Sequence, residues 1–240
     1  MKVMSWNVNH RSRPRTVPPT MAPAIASVGP DLVVLTGYVP GPGHDRFLAE
    51  LEAVGLAHAL WTERVAGQNS VLIAARTPLV PGGFRATTGD ESFPSNVLHA
   101  CLPDDGVEVL GVRIPDYSRL LALKRVCWDW VLEAADVLRS RRSIILGDFN
   151  TDPSSSIARC GDRITRLVEK GWMHASPETG SSYVGPGGAS VCIDHAFLSG
   201  LWGVAEASCV TDGGGIQFSG KHTGALSDHA ALLVSVDSAA

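Results

Sequence analysis

The apolar positions of this chain fall into two alternating kinds of segment, short β-branched runs and longer runs with helical spacing. The short runs predict strands at 2–8, 31–35, 70–75, 96–101, 107–112, 143–146, 191–198 and 230–236. Helical spacing predicts helices over 17–28, 46–54, 120–139 and 156–170. The third carries the clearest stripe, through Leu121, Val126, Trp130, Val131, Ala134 and Leu138. Stretches rich in glycine and proline at 40–43, 81–83, 185–188 and 213–215 read as loops. Strands outnumber helices, and helices fall between them. That order predicts an α/β protein of sheets covered by helices rather than a doubly wound nucleotide fold. At 240 residues the chain reads as one domain over 1–236, with a frayed tail at 237–240.

Composition narrows the picture further. An apolar share of 45% supports a packed core and excludes a disordered chain. A formal charge of −4 argues against a protein that coats nucleic acid unspecifically, though a local basic patch can still grip phosphates. No run approaches the ~18 apolar residues of a membrane span, and no signal peptide is visible at the start. The five cysteines are widely spaced and contain no Cys-x-x-Cys, which favours reduced thiols over a zinc site or a disulfide framework. A cytoplasmic, monomeric protein without membrane attachment is the expectation.

Chemistry gathers at strand ends. Gly147-Asp148-Phe149-Asn150 follows the run 143–146, and a two-residue spacing places Asp148 and Asn150 on one side of an extended backbone. Asn7 lies in Ser5-Trp6-Asn7-Val8-Asn9 at the end of the first strand, Asp194 in Ile193-Asp194-His195, and Asp228 and His229 in Ser227-Asp228-His229 before the last strand. Placing these ends side by side collects Asn7, Asp148, Asn150, Asp194, Asp228 and His229 in one cleft. Turn residues are the alternative for Asn7 and for the Asp228–His229 pair. His195 alternates away from Asp194 and reads as structural.

Four such motifs, in order and spanning residues 3 to about 236, resemble the endonuclease/exonuclease/phosphatase superfamily, which includes DNase I-like and AP endonuclease-like enzymes. The resemblance implies a four-layer α/β/β/α sandwich of two mixed sheets and phosphoester hydrolysis assisted by magnesium, with manganese as a substitute. It assigns Asn7 and Asp228 to the metal, Asp148 to orienting or deprotonating water, and Asn150 to holding that water or a phosphate oxygen. His229 contacts the scissile phosphate and Asp194 is its carboxylate partner.

The chain departs from the family at the end of its second core strand. Gly37 falls where a metal-binding glutamate belongs, so restoring it by Gly37→Glu is expected to strengthen metal binding. Arg113 stands where many members place a Tyr or His facing the phosphate, and paired guanidinium donors suit that role. The loop 10–15, with Arg11 and Arg13, reads as a clamp on a polyanionic backbone or as a solvated charge run. Asn69, before a strand, is a candidate substrate contact. The leading expectation is a nuclease, with DNA a better candidate than RNA. The alternatives are a phosphatase or phosphodiesterase of a small or lipid phosphoester, and a family member that binds without cleaving.

Overall fold

The structure is a computed structural model and describes residues 1–9, 17–185, 188–220 and 224–238. In chain order the first half holds β1 (Lys2–Asn7), α1 (Met21–Val28), β2 (Leu32–Tyr38), α2 (His44–Ala53), β3 (His58–Trp61), β4 (Ser70–Ala75), β5 (Val80–Pro81), β6 (Val97–Leu102) and β7 (Val107–Arg113). The second half holds α3 (Leu121–Leu138), β8 (Ser143–Asp148), α4 (Gly161–Glu169), β9 (Met173–Ala175), β10 (Tyr183–Val184), β11 (Ser190–Val191) and β12 (Asp194–Leu198). It closes with β13 (Trp202–Val210), β14 (Asp212–Gly213), β15 (Ile216–Gln217) and β16 (Ala231–Ser238).

Twelve strands build two six-stranded mixed sheets, ordered β13-β16-β1-β2-β4-β3 and β5-β6-β7-β8-β12-β9. β2 and β4 are buried at every position, and such strands lose the apolar/polar alternation of a half-exposed sheet. Alternate side chains of β2 serve two cores. Leu32 and Val34 point between the sheets, whereas Val33 and Leu35 face α1 and α2. A third core lies outside the second sheet, where Cys127, Trp128, Val131 and Leu138 of α3 pack on Leu110, Val112, Ile145 and Phe197. Three apolar layers between four structural layers give the α/β/β/α sandwich. Gly111 of β7 faces the inter-sheet layer, where an added Cβ would come within 2.9 Å of Val34 and 3.0 Å of Val71.

The strand positions bring the motifs together. β1 and β2 run parallel, as do β7 and β8, so Asn7 and Gly37 end on one edge and Arg113 and Asp148 on another. β12 runs antiparallel to β8 with Asp194 opposite Asp148. β16 is antiparallel to β1, so the residues preceding β16 lie beside the end of β1. The helix expected at 17–28 begins only at Met21, because Pro18 and Pro19 disfavour helical backbone in the residues before them. The expected 156–170 helix is divided by Cys160, whose φ of 72° is left-handed, into a 3₁₀ turn and α4. Asp237 and Ser238, read as a frayed tail, continue the last strand. No helix among the described residues is long and apolar enough to cross a membrane.

Candidate active site

Six side chains from both sheets meet where β1 and β8 end and where β12 and β16 begin. Asn7 donates from Nδ2 to Asp148 Oδ2 at 2.8 Å, a hydrogen bond linking one sheet to the other. Asp194 Oδ2 accepts from His229 Nδ1, also at 2.8 Å and also between sheets. Trp6 Nε1 donates to the His229 carbonyl at 3.0 Å, and Ser227 Oγ donates to the Asn7 carbonyl at 2.6 Å. The first and last motifs are thereby tied together across more than 200 residues.

Asp148 and Asn150 share a side for a different reason than strand alternation. β8 stops at Asp148, and Asn150 has a left-handed φ of 49°. Its amide folds back, donating from Nδ2 to Asp148 Oδ2 at 3.0 Å and to the Ile114 carbonyl at 2.8 Å. Asp148 Oδ1 accepts from the Asn150 backbone N–H. Both amide hydrogens of Asn150 are thus spent. Its Oδ1 can accept from a water but cannot donate to a phosphate oxygen, which narrows the expected choice between the two to water.

Charge is unevenly distributed. Burial, reinforced by neighbouring Asp194, raises the Asp148 carboxyl to about 6, while His229 and Arg113 pull the other way. Burial alone would lower His229, but Asp194, aided by Asp148 and Asp228, raises it to about 9, so the ring is an imidazolium at neutrality. Arg113 Nε lies 3.7 Å from Asp148 Oδ2, too far for a hydrogen bond, and finds no other partner. Asp194 Oδ1 is a buried acceptor with no donor.

Asn69 is buried just before β4, beside the end of β2, with Oδ1 unpaired, and among the described residues no hydrogen bond joins it to the central group. Arg11 and Arg13 lie outside the described residues. His195 faces away as expected. Its Nε2 donates to the Thr151 carbonyl at 2.8 Å, so Nδ1 accepts from His174 at 3.1 Å, and the pair supports the catalytic turn from behind.

Three residues escaped the sequence reading. Asn9, with φ 44°, donates from Nδ2 to Asp228 Oδ1 and from its backbone to Asn7 Oδ1, each at 2.9 Å. The Tyr183 ring lies 4.9 Å from that of His229. Lys124 is buried on α3 and donates to the Asn150 carbonyl, fixing the left-handed turn. Its signal was available, since Lys124 precedes Cys127, Trp128 and Val131 at i, i+3, i+4 and i+7 on the buried stripe.

Gly37 is no open slot for a glutamate. Its φ is +63°, at a register shift in β2, and a Cβ there would overlap Asn7 Oδ1 and approach the Asn9 amide to 3.1 Å. Gly37→Glu is therefore expected to displace Asn7 and weaken metal binding. Calorimetric titration with manganese decides it, and tighter binding would refute this geometry.

The oxygens of Asp228 and Asn7 fit a hard dication, because magnesium takes one or two carboxylates and keeps several waters. The unpartnered Asp194 Oδ1 is a further buried acceptor in the same cleft.

A model of the family described as "Endonuclease/Exonuclease/phosphatase family" matches residues 4–229. No curated protein matches the chain. An endonuclease/exonuclease/phosphatase from Beutenbergia cavernae superposes with a TM-score of 0.73 at 19% identity, over 99% of this chain and 71% of that one. Truncated TDP2 from Caenorhabditis elegans gives 0.70 at 14% identity, over 98% and 96%. The 3′ phosphatase NExo from Neisseria, bound to product DNA hairpin, gives 0.68 at 21% identity, over 99% of each chain. At these identities the likeness is one of fold, and it extends to the two mixed sheets and their flanking helices.

Proposed function

The chain belongs to the endonuclease/exonuclease/phosphatase family, whose members hydrolyse phosphoesters, and from that premise we propose that it is a divalent-metal-dependent phosphodiesterase acting on nucleic acid, DNA before RNA. The observation that carries this reading is the opposed pair of Asp148 and His229, one a carboxylate poised near neutrality and the other an imidazolium, held together through Asn7 and Asp194.

Asp148 takes a proton from the attacking water, and a base works best with its pKa near the working pH. Asn150 Oδ1 and the Asn7 amide fix where that water and carboxylate stand. His229 presents its Nε2–H to a phosphate oxygen, since Nδ1–H is engaged by Asp194. Arg113 adds a second cationic donor for the charge that develops in the transition state. Asp228 and Asn7 would hold a magnesium or manganese ion, which would supply further neutralisation of the phosphate. The likeness in fold to the 3′ phosphatase NExo bound to product DNA hairpin supports the choice of substrate.

One observation favours a second reading, a phosphatase of small phosphoesters. A cavity of about 420 Å³ adjoins Asp228, lined among the described residues by Ser181, Tyr183, Thr211 and Ser219, with no lysine or arginine among them. Such a pocket suits one neutral sugar or nucleoside rather than a duplex. Incubation with plasmid, hairpin DNA, single-stranded RNA and a panel of sugar and nucleotide phosphates, with magnesium or manganese, separates the two. Cleavage of nucleic acid abolished by chelator is expected. Turnover of small phosphoesters alone would establish the second reading, and silence on every substrate would leave a binding protein.

The charge state of His229 is directly measurable. In metal-free protein its ring proton resonances should titrate near 9, and Asp194→Asn should lower the midpoint markedly, because burial is then opposed by Asp148 and Asp228 alone. An unchanged midpoint in the variant would remove Asp194 from its assigned role.

A further inference from the structure

At the end of β7 remote from the cleft, three side chains of different chemistry face one another on the outer side of the second sheet. His99 and Cys101 are two residues apart on β6 and share a face, and Glu108 of β7 is the cross-strand partner of Cys101. Ligand atoms of all three lie within 4.8 Å of one another. Glu108 and Arg113 are separated by roughly 16 Å of extended strand. This cluster therefore stands apart from the catalytic cation.

We propose that His99 Nε2, Cys101 Sγ and a Glu108 carboxylate oxygen bind a thiophilic divalent cation of the zinc class, with water completing its coordination. The His99 ring is clamped. It is buried, its edge meets Phe84 at a centroid distance of 4.9 Å, and Gly82 lies so close that a Cβ there would overlap the ring. So held, Nε2 sits 3.0 Å from Glu108 Oε2, yet the direction is wrong for a hydrogen bond and this buried nitrogen has no other partner. Two ligand atoms set close without a bond between them are disposed as neighbours around a shared ion. In a tetrahedral zinc site such nitrogen and oxygen atoms stand about 3.4 Å apart. The required opening is small for a glutamate side chain.

The charges also match. A thiolate and a carboxylate neutralise a dication, and Arg141 Nη1, at 2.9 Å from Glu108 Oε1, orients the carboxylate from behind. Burial keeps His99 neutral and Cys101 a thiol in the metal-free chain, and the ion displaces the thiol proton to solvent. The imidazole proton moves to Nδ1 at the expense of a long 3.3 Å contact from the Phe84 amide. Such an ion staples the β6–β7 hairpin next to its turn. Cysteine spacing gave no sign of it, because one ligand comes from the neighbouring strand.

Cobalt(II) titration of the full chain tests the site. A near-ultraviolet thiolate-to-cobalt band saturating at one equivalent is expected, displaced by zinc and lost in Cys101→Ser, whose fold is confirmed by circular dichroism. Zinc at a hundred times Kd should raise Tm by roughly 5–10 °C more in the wild type than in Cys101→Ser. Glu108→Gln should weaken cobalt binding about tenfold or more. Absence of the thiolate band, or its persistence in Cys101→Ser, overturns the proposal and leaves an Arg141–Glu108 ion pair beside a buried, neutral His99.

Discussion

Asp148→Asn is expected to lower kcat for phosphoester hydrolysis by about 10³-fold, in the middle of the ~10²–10⁴ that a positioned general base contributes. KM should change little, because the lost proton acceptance belongs to the transition state rather than to substrate binding. The substitution also reveals how the carboxylate is held. Oδ2 accepts from two side-chain amides and Oδ1 from a backbone N–H, so a carboxamide in that place must set its own NH₂ against one of these donors. An unmade buried hydrogen bond costs about 1–3 kcal/mol. Against it works the relief of a buried negative charge, because a carboxyl raised to about 6 destabilises the folded chain once it ionises. With the folded pKa above the unfolded one, that penalty is absent at low pH and grows as pH rises through the window between them. Asp148→Asn should therefore compare worst with the wild type in Tm at acid pH and best above about pH 6. Steady-state kinetics and thermal melts at two pH values suffice, and activity within tenfold of the wild type would falsify the assignment of Asp148 as base.

The second large effect concerns Gly147→Ala, one position earlier in the same strand. The backbone there has φ of +150°, where side chains are strained, and an added Cβ would overlap the Val112 carbonyl oxygen with its carbon only 2.8 Å away. Val112 is the register partner of Gly147 across the parallel β7–β8 pair, so the obstacle is backbone and cannot rotate aside. Strain and overpacking together cost roughly 2–6 kcal/mol. For a chain of this length each kcal/mol lowers Tm by about 2–4 °C. Gly106→Ala is the matched comparison. Its φ is +62°, but nothing lies within 4 Å, so only backbone strain, about 1 kcal/mol, is expected. Equal losses in the two variants would show that close approach at Gly147 does not matter. The Arg113–Asp148 register partners lie one position on, so what remains folded of Gly147→Ala should also be catalytically weak.

Much of this arrangement is legible in the sequence because buried strands announce themselves by continuous apolar content. The run 70–75 coincides with β4 end for end. The nine-residue β13 went unseen because it sits at a sheet edge and alternates only small residues, Ala205, Ala207 and Cys209, against Glu206 and Ser208. The site was readable wherever a polar side chain closes a predicted strand, as at Asn7 and Asp148. It was unreadable where a role depends on a partner far along the chain. Asn9 reaches Asp228 without any local pattern, and the α3 stripe shows that Lys124 is buried but not that it reaches the Asn150 carbonyl. Gly37 shows the converse. Its identity suggested a missing ligand, whereas its backbone angle and its closeness to Asn7 are properties only of the folded chain.

The bonds from Asn7 to Asp148 and from His229 to Asp194 each span the two sheets at 2.8 Å. The sheets thus act as the jaws of a caliper, and the gap is set two residues below the cleft by the layer in which Gly111 meets Val34 and Val71. Under the proposed function, catalytic rate becomes a gauge of slab thickness: a methyl group added in that layer is expected to lower it by opening the jaws, although every side chain of the cleft is unchanged.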